Sequence, residues 1–360
     1  MVIHKITKIT KLKFQKGLYQ WSIHHLRPMP WKGEKDPYKI WLSEIILQQT
    51  RVEQGLAYYQ NFVHTFPTVQ HLSNASLQQV LKLWEGLGYY TRARNLHQSA
   101  QFISKSLNGN FPVTFEELIK LKGIGEYTAA AIASFAYDLP FAVLDGNVHR
   151  ILSRYFGIAK TIQTSLDKKH FQSIADQLID QTHPAKYNQA IMDFGAMCCT
   201  PKIPQCGICP LKKSCHSFKN NQIAQFPPAK IKLEKKTRFF HYYIIKKSAD
   251  QVFIQQRKND DIWLRLNEFP LIETDSNKPP SKLQLKNIFL EINKPYSLQP
   301  FLVQRQVLSH QIIHASFYFY PFPKTHLTYK SIPIKSLTRI AMPSIIAKKR
   351  KELVKLIASL

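Results

Sequence analysis

The sequence predicts a helical first domain followed by a smaller domain that mixes strands and helices. All twelve glycines and all five cysteines lie before residue 216, so the composition of the chain changes after that point. Before it, apolar residues recur every three to four positions, which is the spacing of amphipathic helices. After it, aromatic and β-branched residues dominate three short segments, as is typical of strands. A chain of 360 residues suits two domains of ordinary size.

Five segments of the first domain carry the helical spacing: residues 37–66, 76–107, 127–137, 148–156 and 185–197. The predicted strands lie within RFFHYYIIKK, QVFIQQR and IHASFYFYPF. Between the two domains, residues 221–237 are polar and basic and contain Pro227-Pro228, which is the composition of an extended linker. We therefore expect a helical domain at residues 1–220 and an α+β domain at residues 238–360.

The chain is strongly basic, because it contains 50 Lys and Arg but only 23 Asp and Glu, which gives a net charge of +27. Residues 1–220 carry 26 basic and 14 acidic side chains (+12), and residues 221–360 carry 24 and 9 (+15). A surplus this large indicates a polyanionic partner, nucleic acid before membrane. The first residues alternate lysine with apolar side chains, unlike a signal peptide, and no run of about eighteen apolar residues occurs. We expect a cytoplasmic protein without a membrane partner.

Four cysteines form a compact cluster in the sequence. Cys199, Cys206, Cys209 and Cys215 are separated by six, two and five residues, within a loop too short to build its own core. In a reducing compartment, clustered thiols are more typical of metal ligands than of disulfides. This graded spacing favours an iron–sulfur cluster, with a structural zinc ion as the alternative. Cys198 is the spare cysteine, and its simplest role is that of a small buried hydrophobic residue.

Two carboxylates have environments that predict different acidities. The helical neighbours of Glu44 are mostly apolar, so its pKa should rise and the group could deliver a proton. Asp145 precedes a helical run, where a carboxylate caps the helix and the helix dipole favours its ionised form. Capping alone would explain Asp145. As a pair, Glu44 and Asp145 match a pattern used to break glycosidic bonds, in which one carboxyl group donates a proton and the other stabilises the positive charge on the sugar.

The stretch LKGIGEYTA carries a glycine turn at the start of a helix. Gly123 and Gly125 allow backbone N–H groups to point outward, and this geometry binds a phosphate without any side-chain charge. A glycine turn also joins many helix pairs that bind nothing. The motif therefore predicts a phosphate site only in combination with other signals.

Together, these motifs resemble the helix-hairpin-helix DNA glycosylases, and within them the MutY-type adenine DNA glycosylases. The resemblance rests on PWKGEKDPYKIWLSEIILQQTRV, LKGIGEYTA, LDGNVHR, YNQAIMDFGAMCC and the four-cysteine loop. It extends from about residue 21 to residue 215 and returns in the second domain. It implies an all-α glycosylase domain with an iron–sulfur loop at residues 199–215, followed by an α+β MutT-like domain.

The resemblance implies roles for the residues of the first domain. Glu44 would protonate the departing adenine and Asp145 would stabilise the cationic sugar, while Tyr127 and Asn147 would shape the pocket. In related endonuclease III enzymes a lysine at the position of Tyr127 attacks the sugar, which a tyrosine cannot do. The implied enzyme is therefore monofunctional: it would release adenine paired with 8-oxoguanine or guanine and so prevent G:C to T:A transversions.

The resemblance also implies one [4Fe-4S] cluster on Cys199, Cys206, Cys209 and Cys215, and a double-stranded DNA partner whose adenine is flipped out of the helix. The MutT-like domain would read the opposite base through QVLSHQ. A monomer is the expected state, associated with the nucleoid when bound to DNA. The implied DNA or substrate contacts are Trp31, Lys32, Gln48, Gln49, Thr50, Tyr89, Gly123, Gly125, Ser309 and His310.

Three positions depart from the family pattern. Lys32 replaces a usual arginine, Arg265 stands where a glycine is usual, and Asn267 replaces an aromatic residue. Two other functions remain as alternatives. A bifunctional pyrimidine glycosylase would need lysine at position 127 and no lesion-reading second domain. A non-enzymatic, redox-sensing DNA-binding protein would leave the pairing of Glu44 with Asp145 unexplained.

Overall fold

The computed structural model describes residues 6–229, 234–286, 299–320 and 329–359. The chain divides into two compact units: Met1–Ser73 with Gln98–Ile231, and Asn74–His97 with Lys232–Leu360. The second unit thus includes a helical segment from the first half of the sequence. The predicted linker contains a short 3₁₀ helix, Ile223–Gln225, and its residues 230–233 lie outside the described part of the chain.

Helices dominate the described chain up to residue 229. They are α1 (Lys8–His24), α2 (Pro37–Leu47), α3 (Val52–Thr65), α4 (Val69–Asn74), α5 (Leu77–Leu83), α6 (Thr91–Ser106), α7 (Phe115–Leu118), α8 (Glu126–Tyr137), α9 (Gly146–Phe156), α10 (Ser165–Leu178), α11 (Pro184–Met197) and α12 (His216–Lys219). This confirms the predicted all-helical first domain, and α8, α9 and α11 match their predicted segments closely.

Two of the five segments with helical spacing each form two helices in the structure. Residues 37–66 form α2 and α3, because Gln49 between them adopts a left-handed backbone with φ 56°. Residues 76–107 form α5 and α6, separated by the turn GLGYY, in which Gly86, Gly88 and Tyr89 all have positive φ. A right-handed helix cannot continue through such residues.

The core of the first unit lies among α1, α8, α9, α10 and α11. Phe14 of α1 is fully buried and packs edge-on against Tyr155 of α9, with ring centroids 4.9 Å apart. Phe171 of α10 and Phe194 of α11 are buried in the same cluster. Helix α2 contacts both α3 and α8. These contacts fix α2, the start of α8 and the start of α9, which carry the predicted catalytic residues.

The described residues of the second unit form two small sheets, and the strands in RFFHYYIIKK, QVFIQQR and IHASFYFYPF are confirmed. In the larger sheet, with order β4-β1-β6-β5, β1 and β6 are parallel, pairing Phe240 with Ala315, and the other pairs are antiparallel. The smaller sheet has the order β3-β2-β7. The elements are β1 (Lys236–Ile245), β2 (Gln251–Gln256), β3 (Asn267–Glu268), β4 (Leu271–Thr274), α13 (Lys282–Leu285), β5 (Leu302–Val307), β6 (Gln311–Tyr320), β7 (Lys330–Pro333), α14 (Ser344–Ala347) and α15 (Arg350–Ser359).

Candidate active site and cysteine loop

A cleft of about 430 Å³ in the first unit brings together all four predicted catalytic residues. Helix α2 contributes Glu44, α8 contributes Tyr127, and the start of α9 contributes Asp145 and Asn147. These side chains come from positions up to 103 residues apart (44 to 147). Three of the predicted DNA or substrate contacts line the same cleft: Trp31, Lys32 and Thr50.

Glu44 is buried in the wall of the cleft, with 7% of its surface exposed. Burial raises the pKa of Glu44 to about 7, the hydrogen bond donated by Tyr127 opposes this rise, and the negative charge of Asp145 adds to it. Burial likewise raises the pKa of Tyr127 well above its ordinary value. Glu44 can therefore hold a proton near neutral pH and release it to a bound group, which is the requirement for a general acid.

Asp145 is the N-cap of α9 and is held by two donors. Its Oδ1 accepts a hydrogen bond of 2.8 Å from the backbone N–H of Val148, and its Oδ2 accepts one of 2.8 Å from Nδ2 of Asn147. These bonds fix the carboxylate at the positive end of the helix. Asp145 both caps the helix and lines the cleft, so its capping role does not exclude a catalytic one.

A chain of hydrogen bonds connects Asp145 with the start of the cysteine loop. Asn147 donates to Asp145 and accepts a bond of 2.9 Å from Nη2 of Arg150. Arg150 also donates through Nε to the backbone carbonyl of Cys199 at 2.8 Å and through Nη2 to that of Gly195 at 2.8 Å. The position of the Asp145 carboxylate is thus coupled to the backbone that carries the first cysteine of the loop.

Helix α11 and the residues before α2 also line the cleft. Lys32 forms an ion pair with Asp193, with Nζ 2.7 Å from Oδ2, and Gln189 donates to the same oxygen at 3.1 Å. The ring of Trp31 packs edge-on against Tyr59 at 5.2 Å. The ammonium group of Lys32 therefore contacts one carboxylate oxygen of Asp193. An arginine at this position would present a planar guanidinium group with two parallel donors.

The remaining predicted contacts of the LQQT stretch lie at the end of α2. Gln48 donates from Nε2 to the hydroxyl of Thr128 at 3.2 Å, and the hydroxyl of Thr50 donates to the carbonyl of Gln48 at 3.3 Å. Gln49 is exposed and has the left-handed backbone described above. Gln48 and Gln49 are not among the residues that line the cleft.

Three predicted contacts lie in the second unit. Tyr89 is 44% exposed, and its hydroxyl forms a hydrogen bond with the hydroxyl of Ser309. Ser309 and His310 are exposed in the three-residue turn between β5 and β6, which the bond from Leu308 N to the carbonyl of Gln311 closes at 2.8 Å. The structure thus brings Tyr89 and Ser309 together, although 220 residues separate them.

The glycine turn connects α7 with α8. Gly123 has φ 84°, which favours glycine, and Gly125 is the N-cap of α8, where no side chain caps the helix. A Cβ atom at Gly125 would meet nothing within 4 Å. The space beside Gly125, at the N-terminus of α8, is therefore open, as a backbone phosphate site there requires.

The four predicted metal ligands line one small pocket. Cys199, Cys206, Cys209 and Cys215 face it together with Cys198 and Arg154. Arg154 donates from Nη1 to the sulfur of Cys199 at 3.5 Å and to the carbonyl of Thr200 at 2.7 Å. No three His, Cys, Asp or Glu side chains in the described ranges converge closely enough to hold a single metal ion.

The surroundings change the acidity of the thiols in different directions: burial raises the pKa of Cys206 and that of Cys215, whereas the pKa of Cys209 is lowered. The thiol of Cys198 and the backbone N–H groups of Leu211 and Lys212 lower the pKa of Cys209, against the effect of burial. Hydrogen bonding to Cys209, followed by burial, raises the pKa of Cys198. The donors and the shared pocket fit a four-thiolate cluster, with Cys198 buried beside it.

Sequence reasoning did not single out Arg150, Asp193 or Gln189. Arg150 lies three residues after Asn147 in LDGNVHR, so the two share a helix face, and this spacing could have suggested their contact. Asp193 pairs with a residue 161 positions away, and no local pattern indicates such a contact.

Comparison with known proteins identifies the family. The HhH-GPD superfamily of base excision DNA repair proteins matches residues 42–177. The adenine DNA glycosylase of Buchnera aphidicola subsp. Baizongia pistaciae is 39% identical over 267 residues, covering 73% of this chain and 74% of the relative. That of Buchnera aphidicola subsp. Acyrthosiphon pisum is 36% identical over 309 residues, covering 85% and 86%. The chain belongs to the adenine DNA glycosylase family. It is an enzyme of base excision repair that hydrolyses N-glycosyl bonds.

Solved structures share the helical fold of this adenine DNA glycosylase. A thermostable thymine-DNA glycosylase is 25% identical with a TM-score of 0.55 and covers 58% of this chain and 97% of its own. Endonuclease III in a non-covalent complex with DNA is 19% identical with a TM-score of 0.52, and the match covers 60% of this chain and 99% of that one.

No helix in the described ranges is long and apolar enough to cross a membrane.

Proposed function

We propose that this glycosylase removes adenine paired with 8-oxoguanine or guanine in double-stranded DNA, and that it is monofunctional. The observation that carries the proposal is the cleft in which buried Glu44 accepts a hydrogen bond from Tyr127 and lies near Asp145. By this reaction the enzyme would prevent G:C to T:A transversions. We propose that it acts as a monomer in the cytoplasm, associated with the nucleoid when bound to DNA.

The two carboxyl groups divide the chemistry. Glu44, whose pKa is raised to about 7, donates its proton to the base and makes adenine a better leaving group. Asp145 lies in the same cleft and its carboxylate offsets the positive charge that develops on the sugar as the bond breaks. Glu44, now ionised, then accepts a proton from the attacking water. Asn147 holds Asp145 in position, and Tyr127 holds Glu44.

The side chains of the cleft also support the monofunctional assignment. A strand-cleaving glycosylase needs a free amine to form a Schiff base with the sugar. Position 127 carries a phenol instead, and the described lysines of the cleft have other partners: Lys32 pairs with Asp193 at 2.7 Å, Lys35 pairs with Asp138 at 2.7 Å, and Lys186 lies over the ring of Tyr19. The bifunctional alternative therefore lacks a nucleophile.

We propose that the four thiols hold one [4Fe-4S] cluster. The four thiols line one small pocket, and their spacing in the sequence favours a cluster over one zinc ion. A bound cluster supplies four covalent anchors for the loop. The hydrolysis itself uses the carboxyl groups described above. The ligands would be Cys199, Cys206, Cys209 and Cys215.

For the DNA contacts, we propose that the N–H groups at Gly123 and Gly125 bind a backbone phosphate. Gln49, Thr50 and Tyr89 would contact the duplex beside the lesion, and Ser309 and His310 would read the opposite base. Trp31, Lys32 and Gln48 would bind near the flipped adenine. The exposed, left-handed positions of Gln49 and Tyr89 support a role in contacting a partner.

A labelled duplex with one adenine opposite 8-oxoguanine tests the proposal. Free adenine and strand breaks are measured before and after alkali, with Glu44→Gln as the inactive control. We expect adenine release with breaks only after alkali, and no product trapped by borohydride. Breaks without alkali would show a lyase, and tight binding without adenine release would support the non-enzymatic alternative.

A further inference from the structure

The segment Asn74–His97 lies in the second unit, where polar contacts attach it to the C-terminal residues. It comprises α5, the turn GLGYY and the first part of α6. The predicted DNA-contacting residue Tyr89 lies in this turn. The position of Tyr89 relative to the β5–β6 turn therefore depends on the contacts that anchor the segment.

The first anchor is a two-way amide contact at Gln78. Its Nε2 donates to the backbone carbonyl of Arg265 at 2.9 Å, and its Oε1 accepts from Nδ2 of Asn267 at 2.8 Å. The backbone N–H of Asn267 in turn donates a hydrogen bond of 2.9 Å to the carbonyl of Ala341. One side chain of α5 therefore binds both ends of a three-residue stretch, 265–267.

This anchor involves the two positions of the second domain that depart from the family pattern. Arg265 has φ 71°, a conformation that glycine adopts freely and that arginine adopts only with strain. Asn267 supplies a side-chain amide N–H, which no aromatic residue carries. The two departures thus occur together in a turn whose carbonyl and side-chain amide both bind Gln78.

A second anchor lies between α5 and α6. The carboxylate of Glu85 accepts hydrogen bonds from both terminal nitrogens of Arg350 in α15 and from the backbone N–H of Met342 at 2.9 Å. Burial tends to raise the pKa of Glu85, but the donors outweigh it and the pKa is lowered. Arg94 adds a bond of 3.1 Å to the carbonyl of Leu264. The segment is thus attached on both sides of the turn that carries Tyr89.

We propose that Gln78 and Asn267 form a latch that positions Tyr89 against Ser309, and that this latch sets the preference for 8-oxoguanine over guanine opposite adenine. The inference rests on the proposed function. 8-Oxoguanine differs from guanine by an N–H at position 7 and an oxygen at position 8. The paired hydroxyls of Tyr89 and Ser309 can match both atoms, and hydrogen bonds weaken steeply with distance and angle.

A loosened latch should therefore reduce the rate on 8-oxoguanine:adenine more than the rate on guanine:adenine. Each rate of adenine release is measured with the enzyme in excess over duplex. For Gln78→Ala and for Asn267→Ala we expect the ratio of the two rates to fall about fivefold, equivalent to about 1 kcal/mol. Because both substitutions break the bond between Gln78 and Asn267, the loss in the double variant should be smaller than the sum of the two single losses.

Two further variants separate positioning from general loss of structure. Arg265→Gly keeps the carbonyl that Gln78 binds, so its ratio should stay within about twofold of wild type. In a Tyr89→Phe background, which lacks the hydroxyl bonded to Ser309, Gln78→Ala should change the ratio by less than about twofold. Thermal unfolding of every variant accompanies the rates, and the latch predicts a changed ratio with the guanine:adenine rate nearly unchanged.

The outcomes distinguish the latch from the function on which it rests. A wild-type ratio near one refutes the preference for 8-oxoguanine, and the latch with it. A high wild-type ratio that Gln78→Ala leaves unchanged refutes the latch alone. Equal losses on both substrates, or an undiminished effect of Gln78→Ala in the Tyr89→Phe background, would assign Gln78 a structural role only.

Discussion

Replacing Glu44 with glutamine should make the protein more stable at neutral pH while abolishing its activity. The pKa of Glu44 rises from 4.5 to about 7 because the carboxyl group is buried. Each pKa unit corresponds to about 1.4 kcal/mol, so ionised Glu44 destabilises the folded state by roughly 3 kcal/mol relative to its protonated form. Glutamine has nearly the same shape and carries no charge, so it avoids this effect.

The sign of the pH dependence follows from the direction of the shift. A carboxyl group with a raised pKa binds its proton more tightly in the folded state, so it stabilises that state most at low pH. This contribution is lost as pH rises from about 4.5 through about 7. The free energy of unfolding of Glu44→Gln minus that of wild type should therefore increase by about 2 to 3 kcal/mol between pH 5 and pH 8.

Urea denaturation followed by circular dichroism at several pH values measures this difference. Glu53→Gln serves as a matched control, because Glu53 is exposed in the first turn of α3. The control should show a small difference that varies little with pH. If the difference in free energy of unfolding between Glu44→Gln and wild type also varied little with pH, the carboxyl group of Glu44 would have an ordinary pKa. The assignment of Glu44 as general acid would then lose its physical basis.

The kinetic consequence concerns the same proton. Loss of a general acid slows a reaction by about 10² to 10⁴-fold, so Glu44→Gln should release adenine at least 100-fold more slowly. In wild type, the rate of the chemical step should fall as pH rises through about 7, because Glu44 loses its proton. A rate that stayed constant from pH 6 to pH 9 under single-turnover conditions would contradict this role.

Three further predictions test other sites. Cys206→Ala should lower the iron and sulfide content of the purified protein, whereas Cys198→Ala should leave both near wild type; equal losses would make Cys198 a ligand. Tyr127→Lys should introduce an amine beside the sugar, so borohydride should trap a covalent DNA adduct that wild type does not form. Arg265→Gly should raise the free energy of unfolding by about 1 kcal/mol, because glycine relieves the left-handed backbone at φ 71°; a decrease in urea denaturation would show that the arginine side chain makes a stabilising contact.

Local patterns predicted most of the fold. The periodicity of α8, α9 and α11 and the aromatic strands β1 and β6 are properties of short segments, and the structure has them where they were expected. The inclusion of Asn74–His97 in the second unit was not predicted. It depends on pairs such as Glu85 with Arg350, which lie 265 residues apart and leave no periodic signal.

The predicted site shows the same division between local and distant information. The apolar neighbours of Glu44 in sequence predicted its raised pKa, and its burial in the cleft gives that result. The ion pair of Lys32 with Asp193 could not be predicted, because it requires the packing of α11 beside the residues that precede α2. The pKa of a side chain can be predicted from sequence when it depends on the residues of its own helix face. An ion-pair partner that comes from a distant helix cannot.

The two segments that each form a pair of helices are interrupted at proposed DNA contacts. The spacing of apolar residues continues through residues 37–66 and 76–107, so packing alone would favour uninterrupted helices. The structure instead places Gln49 and Tyr89 in left-handed conformations, with φ 56° and 48°, and leaves both exposed. Strain of this kind persists where the surrounding structure imposes it, and it concentrates at binding sites. The resemblance to known glycosylases independently implies a DNA contact for both residues. Two independent observations thus favour the same residues, and the interruption of the helices at Gln49 and Tyr89 supports the proposal that they bind the duplex.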